Sequence, residues 1–189
     1  MRLAQGLGYR GAGTVEFLVD AESFDFFFLE MNARIQVEHP VTEEITGVDL
    51  IEQQLLIAAG HPLGLTQEMV MPSGHAIEVR VNAEDPAHDF RPSPGTVRSI
   101  AWPAGQGIRI DTHVASGGAI PPNYDSLVGK LIVSAATREA AVARLGSALA
   151  LFRVEGVATT VPLHRRIAAD ARFAAGAVDT RFLEGLADG

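Results

Sequence analysis

The 189-residue chain contains no cysteine. Disulfide bonds and thiolate-held metals are therefore excluded, and the lack of cysteine fits a reducing cytoplasm, which is the expected location. No apolar run approaches the roughly 18 to 20 residues needed to span a bilayer, so we expect no association with a membrane. The segment that begins at Met1 has no apolar signal-peptide core, and nothing in it favours export.

Basic residues are also scarce. Lys and Arg number 15 against 23 Asp and Glu, which gives a formal net charge of -8. A nucleic-acid site needs a basic surface to meet the phosphates, and this chain has no basic stripe. Aromatic residues make up only 6% of the chain, and several of them crowd between Phe17 and Phe28 rather than forming a base-stacking array. We therefore expect no nucleic-acid partner.

The hydrophobic share of 47% is enough for a sizeable core without cross-links. The pattern of the chain predicts an α+β protein in two parts, with the boundary in a connector over residues 62–73. In the first part, strands over 14–20 and 26–32 form an antiparallel hairpin around the polar loop 21–25. A helix is predicted to begin at Asp49, which has the capping-box spacing.

The second part alternates between apolar and polar residues at strand spacing and then changes to helical spacing. Strands are predicted at 74–82, 95–101, 107–114 and 129–135, and helices at 138–152 and from Pro162 to about Asp170.

Two glutamates of the hairpin are predicted to face each other. With the turn centred on Ser23, the register pairs Asp20 with Phe26, Leu18 with Phe28, and Glu16 with Glu30. Residues directly opposite lie roughly 4.5 to 5.5 Å apart, where two like charges repel unless a divalent cation lies between them. Asn32 projects from the same face, and two carboxylates with an amide oxygen suit Mg²⁺ or Mn²⁺.

The alternative for this hairpin is a solvated sheet face that carries the two glutamates without a ligand. Strict alternation places Phe24, Phe26 and Phe28 on the face of Glu30. This arrangement argues against a face that is simply wet, and it favours the metal site.

Arg34, Gln36 and Glu38 alternate with apolar residues and point the same way if the backbone is extended. A guanidinium fork suits a planar oxyanion such as bicarbonate. A carboxylate beside that anion fits the role of a general base. The alternative is an ion pair between Arg34 and Glu38 on an ordinary strand, and spacing does not decide between them.

These residues belong to a longer recognisable stretch: Glu30-Met31-Asn32-Ala33-Arg34-Ile35-Gln36-Val37-Glu38-His39-Pro40-Val41-Thr42-Glu43. It closely resembles the signature of biotin carboxylases, including those of acetyl-, propionyl- and pyruvate carboxylases. Segments 8–14, 46–50, 82–86, 92–95 and 124–130 are similar to that family too. The resemblance covers essentially the whole chain, and a match over many segments is highly specific.

The family is one of ATP-grasp ligases, and the resemblance implies a domain division. Residues 1–70 would be the carboxyl-terminal end of an ATP-grasp domain, and residues 71–189 the carboxyl-terminal domain of a biotin carboxylase. The amino-terminal half, with its glycine-rich lid and phosphate-binding lysines, is expected upstream of Met1. The isolated chain is therefore expected neither to bind ATP tightly nor to turn over.

The resemblance assigns the hairpin to metal and nucleotide binding. Glu16 and Glu30 would hold the Mg²⁺ or Mn²⁺ ions that bridge the ATP phosphates, with Asn32 beside them. Leu18 and Glu30 would contact ATP.

The resemblance assigns the following run to bicarbonate and a later arginine to biotin. Arg34, Gln36 and the backbone of Val37 would hold bicarbonate, and Glu38 would deprotonate it. Arg80 would face the ureido oxygen of biotin and steady the negative charge as the biotin nitrogen becomes nucleophilic. Arg34, Glu38 and Arg80 are thus the implied catalytic residues.

The implied reaction has two steps. Bicarbonate attacks the γ-phosphoryl group of ATP to give carboxyphosphate and ADP, and carboxyphosphate then delivers carbon dioxide to biotin. The implied partners are a biotin carboxyl carrier protein or domain, a carboxyltransferase subunit, the amino-terminal half and a second copy in a homodimer.

The chain departs from the family at Thr180 and Arg181, where many relatives carry an aliphatic residue and a histidine close to the adenine. An ATP contact from this segment is therefore left open. Two alternatives also stay open: another bicarbonate-using ATP-grasp ligase of the carbamoyl-phosphate-forming type, and a non-catalytic fragment or assembly module. The final acceptor of the carboxyl group is not encoded here.

Overall fold

The computed structural model describes residues 2–187, with side chains from 4 to 186. The chain divides into two compact units, one that ends at Pro72 and one that begins at Ser73. Both units combine helices with antiparallel strands, which confirms the α+β prediction. Among the residues described, no helix has the length and apolar character required to cross a bilayer.

The first unit consists of a hairpin and short helices. Its elements are α1 (Arg2–Gly6), β1 (Thr14–Val19), β2 (Phe26–Asn32), α2 (His39–Thr46), α3 (Leu50–Ala58) and a 3-10 turn (Gln67–Met69). Helix α3 begins as predicted, because the Asp49 side chain accepts a hydrogen bond from the Glu52 backbone amide at 2.8 Å. Helix α2 was not predicted.

The segment before α2 corrects an expectation. Residues 33–38 are not extended but form a bend and then a turn that leads into α2. Pro40 lies in the first helical turn, where its missing amide costs no hydrogen bond and its fixed φ favours the helix. The alternation of residues 34–38 therefore does not reflect a strand.

The register of β1 and β2 is only partly the predicted one. Glu16 does face Glu30, but nearer the turn the pairs are Phe17 with Phe28, Leu18 with Phe27, and Val19 with Phe26. The predicted pairs Leu18–Phe28 and Asp20–Phe26 are wrong. One residue of β2 is extra between these two stretches, which makes a β-bulge at Leu29.

The turn explains the bulge. The Asp20 carboxylate accepts hydrogen bonds from the backbone amides of Glu22 and Ser23, and Phe24 adopts a left-handed conformation with φ of 59°. The last pair before the turn is therefore Val19 with Phe26 and not Asp20 with Phe26. This register differs by one residue from the register of the Glu16–Glu30 pair. The bulge restores that pair.

The bulge also moves the phenylalanines. Phe26 and Phe28 lie on the face of Phe17, whose ring centroid is 5.5 Å and 6.3 Å from theirs, and not on the face of Glu30. The prediction that they share a face with Glu30 is therefore wrong. Both are exposed, at 69% and 58%.

The second unit is built on a three-stranded antiparallel sheet. Its elements are β3 (His75–Asn82), β4 (Glu84–Asp85), a 3-10 turn (Pro86–His88), β5 (Arg91–Pro92), β6 (Gly95–Thr96), β7 (Ser99–Ala101), β8 (Ile108–Thr112), β9 (Ala119–Ile120), β10 (Leu127–Ala135), α4 (Arg138–Leu151), β11 (Arg153–Glu155), α5 (Val161–Ala169), α6 (Ala171–Ala175) and α7 (Glu184–Ala187). The sheet order is β3-β10-β8, and β4–β5, β6–β9 and β7–β11 form short separate pairs. The predicted strand 95–101 is thus split in two, and β11 was not predicted.

The core of this unit lies between one face of the sheet and α4. Val81, Leu131 and Val133 of the sheet are fully buried with Leu145 and Leu149 of the helix. Burying a side chain of this size stabilises the fold by about 1.5 to 3 kcal/mol. The core fixes the sheet, and with it the direction of every side chain on the other face.

Candidate active site

The two facing carboxylates of the hairpin both accept a hydrogen bond from the same side-chain amide. Asn32 Nδ2 donates to Glu16 Oε1 at 2.8 Å and to Glu30 Oε1 at 3.0 Å. The predicted juxtaposition of Glu16, Glu30 and Asn32 is therefore confirmed. The bridging amide relieves part of the repulsion that two facing carboxylates carry.

The bend after β2 adds two more side chains to this cluster. Gln36 Nε2 donates to Glu16 Oε1 at 3.1 Å, and Arg34 Nη1 donates to Gln36 Oε1 at 2.8 Å and to the Ile35 carbonyl at 3.0 Å. A continuous line of hydrogen bonds thus runs from Arg34 through Gln36 to the glutamate pair. Arg34 and Gln36 come together through their side chains, but not in the predicted way, because the backbone that carries them is bent and not extended.

A divalent cation fits this cluster. The hydrogen bonds use one oxygen of each carboxylate, Oε1, and a rotated Asn32 amide would present its own oxygen to a cation. Within residues 2–187 no group of three or more His, Asp or Glu side chains is arranged to hold a metal. Mg²⁺ usually takes only one or two carboxylates from the protein and fills its other positions with water and phosphate oxygens, so a pair of glutamates suits it.

Leu18 lies on the same face, two residues along β1 from Glu16, and its side chain is 60% exposed. Its cross-strand partner Phe27 is 61% exposed. This part of the face is therefore apolar and accessible, which suits a flat uncharged group next to the charged cluster.

Val37 and Glu38 form the turn that enters α2. The Glu38 carbonyl accepts from the Val41 amide at 3.1 Å, and the Glu38 side chain is exposed. His39 braces this turn, because its Nδ1 lies 2.7 Å from the Gln36 carbonyl oxygen.

In the second unit, Arg80 lies on the polar face of the sheet, opposite the core. It pairs across the strands with Lys130, which in turn pairs with Asp111. Asp111 accepts from Nε and Nη2 of Arg109, at 2.9 Å each, and its carboxylate lies 3.5 Å from Lys130 Nζ. Arg80, Lys130 and Asp111 therefore form a row of charged residues across the three strands, with Arg80 at one end of it.

This charged row has a testable pH dependence. Burial acts to raise the pKa of the Asp111 carboxyl, but hydrogen bonds from Arg109 and the charges of Arg109 and Lys130 outweigh it and hold the pKa below its usual range. Because the folded pKa is the lower one, the stabilisation is present above about pH 4 and is lost as the pH falls through the folded pKa.

We therefore expect Asp111→Asn to lower the free energy of unfolding by about 0.5 to 1 kcal/mol at pH 7, and by progressively less in acid. Urea unfolding followed by circular dichroism between pH 2 and 7 measures this. Glu155→Gln, on exposed β11, is the matched control and should leave the pH profile unchanged. An Asp111→Asn profile parallel to that of the unaltered chain would contradict the prediction.

The backbone of Arg80 is held from α5. Its carbonyl accepts from Thr160 Oγ1 at 3.1 Å and lies 2.8 Å from His164 Nε2, while the Asn82 amide donates to Thr160 Oγ1 at 3.1 Å. Burial lowers the pKa of His164, which favours the neutral ring. Sequence reasoning missed Thr160 and His164, because nothing near Arg80 in the chain indicates partners some 80 residues away.

Thr180 and Arg181 lie in the turn before α7, and both are exposed. The Arg181 amide donates to Asp179 Oδ1 at 3.0 Å, which fixes the turn.

Models of two known domains match the chain. The biotin carboxylase C-terminal domain matches residues 78–185, more than half of the chain. The ATP binding domain of the carbamoyl-phosphate synthase L chain matches residues 1–66.

The relatives include whole biotin carboxylases. That of Nostoc sp. (strain PCC 7120) is 52% identical over 184 residues, which are 97% of this chain and 41% of that protein. That of Pseudomonas aeruginosa is 51% identical over 178 residues, which are 94% of this chain and 39% of that protein. The chain thus spans about two-fifths of the length of these relatives.

Solved structures agree. The biotin carboxylase subunit of a pyruvate carboxylase superposes with a TM-score of 0.95 at 45% identity, over 98% of this chain and 41% of that one. The biotin carboxylase domain dimer of Hydrogenobacter thermophilus 2-oxoglutarate carboxylase, in complex with MgADP, ADP and bicarbonate, gives 0.93 at 49% identity, over 96% of this chain and 40% of that one. By its matched domains, its sequence identity and its fold, the chain belongs to the biotin carboxylase family.

Proposed function

We propose that the chain is the carboxyl-terminal part of an ATP-dependent biotin carboxylase, which carboxylates biotin on a carrier protein or domain with bicarbonate. Residues 1–70 would complete its ATP-grasp domain, and residues 71–189 would form its carboxyl-terminal domain. The observation that carries the proposal is the line of hydrogen bonds from the Glu16–Asn32–Glu30 cluster through Gln36 to Arg34.

The glutamate pair would bind the metal ions, Mg²⁺ or Mn²⁺, that accompany ATP. Facing carboxylates cost roughly 0.2 to 1 kcal/mol when nothing lies between them. A cation bound by Glu16, Glu30 and Asn32 turns this repulsion into attraction and neutralises the phosphates, as phosphoryl transfer requires. Leu18 and Glu30 would contact the nucleotide on the same face.

The neighbouring bend would bind bicarbonate. Arg34 presents a fork of donors, only part of which is used by Gln36 and Ile35. With Gln36 and the Val37 amide beside it, the fork would hold the anion while Glu38 removes its proton. A bicarbonate oxygen then attacks the γ-phosphorus, the bond to ADP breaks, and carboxyphosphate is formed.

Arg80 would act in the second step. Biotin on its carrier supplies the nitrogen that accepts carbon dioxide. A guanidinium stays protonated through the cycle, so Arg80 would stabilise negative charge on the ureido oxygen without being consumed. Thr160 and His164 hold its backbone carbonyl, which supports a fixed starting point for the side chain.

Further partners follow from this role. The carrier protein or domain, a carboxyltransferase subunit and the amino-terminal half of the ATP-grasp fold would complete the enzyme. A homodimer is supported by the 2-oxoglutarate carboxylase domain, which was solved as a dimer. The exposed rings of Phe26 and Phe28 support the amino-terminal half as a partner, because an apolar surface of this kind favours a covering structure.

A second candidate is a carbamoyl-phosphate-forming ligase, favoured by the domain model that matches residues 1–66. Such an enzyme also activates bicarbonate with ATP but has no need of biotin. The response of ATP cleavage to biotin therefore separates the two functions.

The test joins this chain to the amino-terminal portion of the Nostoc biotin carboxylase and measures ADP release with Mg²⁺, bicarbonate and free biotin. We expect ADP release that requires bicarbonate and rises with biotin, and no turnover by the 189-residue chain alone. ATP cleavage that requires bicarbonate but does not change when biotin is added would favour the second candidate. Equal rates for the chain alone would refute its expected inactivity.

A further inference from the structure

His39, the first residue of α2, holds the bend that precedes it. Its Nδ1 lies 2.7 Å from the Gln36 carbonyl oxygen, and its backbone amide donates to the same oxygen at 3.3 Å. A carbonyl oxygen only accepts, so Nδ1 must carry a proton. The His39 side chain is 12% exposed, so this contact is largely shielded from water.

The other ring nitrogen of His39 faces a buried carboxylate. Nε2 lies 4.0 Å from Glu43 Oε2, one turn along α2, and the Glu43 side chain is 8% exposed. Glu43 Oε1 accepts from the Leu50 amide at 2.8 Å, at the start of α3. His39 therefore lies between the body of the unit and the bend, and its contact with Gln36 is of hydrogen-bond length whereas that with Glu43 is not.

The Gln36 carbonyl matters because of the peptide group to which it belongs. The carbonyl of Gln36 and the amide of Val37 share one planar unit, and in a trans peptide they point in opposite directions. No cis peptide occurs among the residues described. A hydrogen bond that fixes the Gln36 oxygen therefore also fixes the direction of the Val37 N–H.

Gln36 is held at its other end by the active-site cluster. Its side chain donates to Glu16 and accepts from Arg34. Gln36 is thus held by its side-chain amide, which contacts Glu16 and Arg34, and by its backbone carbonyl, which contacts His39. The peptide between Gln36 and Val37 has little freedom to rotate.

We propose that His39 is a positioning residue for bicarbonate: by holding the Gln36 carbonyl it aims the Val37 amide at the anion. This inference rests on the proposed function, in which the Val37 amide is a bicarbonate donor. His39 itself touches neither bicarbonate nor ATP in this scheme. Its loss should therefore affect the binding of bicarbonate and not that of the nucleotide.

Two replacements of His39 form a matched pair. In His39→Asn the amide nitrogen takes the place of Nδ1 and keeps the donor to Gln36. In His39→Gln the amide nitrogen takes the place of Nε2, and the side-chain donor to Gln36 is lost while the weaker backbone donor stays. In the joined enzyme we expect His39→Gln to raise the KM for bicarbonate about tenfold, which corresponds to about 1.4 kcal/mol. The KM for ATP should stay unchanged, and His39→Asn should stay close to the unaltered enzyme.

The outcomes separate the inference from the function on which it rests. No bicarbonate-dependent cleavage by the unaltered joined enzyme would refute the proposed function. Cleavage with an unchanged bicarbonate KM in His39→Gln would overturn the positioning role. Equal losses in kcat and in both KM values for the two variants would show a merely structural role and overturn it as well.

A measurement on the 189-residue chain needs no activity. The amide resonance of Val37 in a ¹H–¹⁵N spectrum should move in His39→Gln and keep its position in His39→Asn. The resonances of α3 should stay in place in both variants, which controls for folding. A Val37 resonance that is unaffected in His39→Gln would contradict the proposal.

Discussion

Glu30→Gln is expected to lower kcat for bicarbonate-dependent ATP cleavage by at least about 100-fold in the joined enzyme, more than the loss of an outer-shell partner of a metal ligand typically costs. The substitution keeps the shape of the side chain and an oxygen that can accept from Asn32. It removes the charge that would face Glu16 across a cation. The rate of ADP release as a function of Mg²⁺ concentration measures both kcat and the metal requirement.

The same substitution should have a small effect on folding. In the metal-free chain it removes one of two facing like charges, so the free energy of unfolding should change by no more than about 1 kcal/mol. Glu22→Gln, in the exposed hairpin turn, is the matched control and should change neither activity nor the Mg²⁺ requirement. An unchanged Mg²⁺ titration in Glu30→Gln would falsify the metal-binding role of the pair.

The Glu16–Glu30 pair was predicted correctly from a hairpin without a bulge, but in the structure the bulge at Leu29 brings the two glutamates opposite each other. The bulge at Leu29 could not be predicted in this way. It arises from the carboxylate of Asp20 binding the turn amides and from the left-handed Phe24, and neither appears in the pattern of apolar residues. The predicted pair was therefore right, but the pairs nearer the turn were wrong by one residue.

The bend at residues 33–38 shows a second limit of alternation. Arg34 and Gln36 were expected on one side of a strand, and they do come together, but through a hydrogen bond between their side chains. Pro40 lies in the first turn of α2, where proline is favoured, but the prediction followed the alternation and did not use this residue.

Contacts distant in sequence were the least predictable. The order β3-β10-β8 places Arg80 beside Lys130, and α5 places Thr160 and His164 against the Arg80 carbonyl. Only the resemblance to the family indicated Arg80, whereas its supports required the fold. The fold thus adds what local patterns lack: it shows which residues hold a functional side chain in place.

Arg80→Gln is expected to separate the two steps of the reaction. Glutamine keeps a neutral donor at the position but loses the charge that would stabilise the ureido oxyanion. We expect the rate of biotin carboxylation to fall about 10²- to 10³-fold, the usual cost of losing a donor to a developing oxyanion. Bicarbonate-dependent ATP cleavage in the absence of biotin should change much less, because the metal and bicarbonate residues are untouched.

The measurement follows ¹⁴C from bicarbonate into biotin and ADP release in parallel assays of the joined enzyme. Arg98→Gln removes an exposed arginine elsewhere in the same unit and should leave both rates unchanged. Arg80→Lys should recover only part of the carboxylation rate, because an ammonium lacks the planar fork of a guanidinium. If Arg80→Gln slows both reactions in equal proportion, Arg80 acts at or before carboxyphosphate formation, and its assignment to the biotin step is wrong.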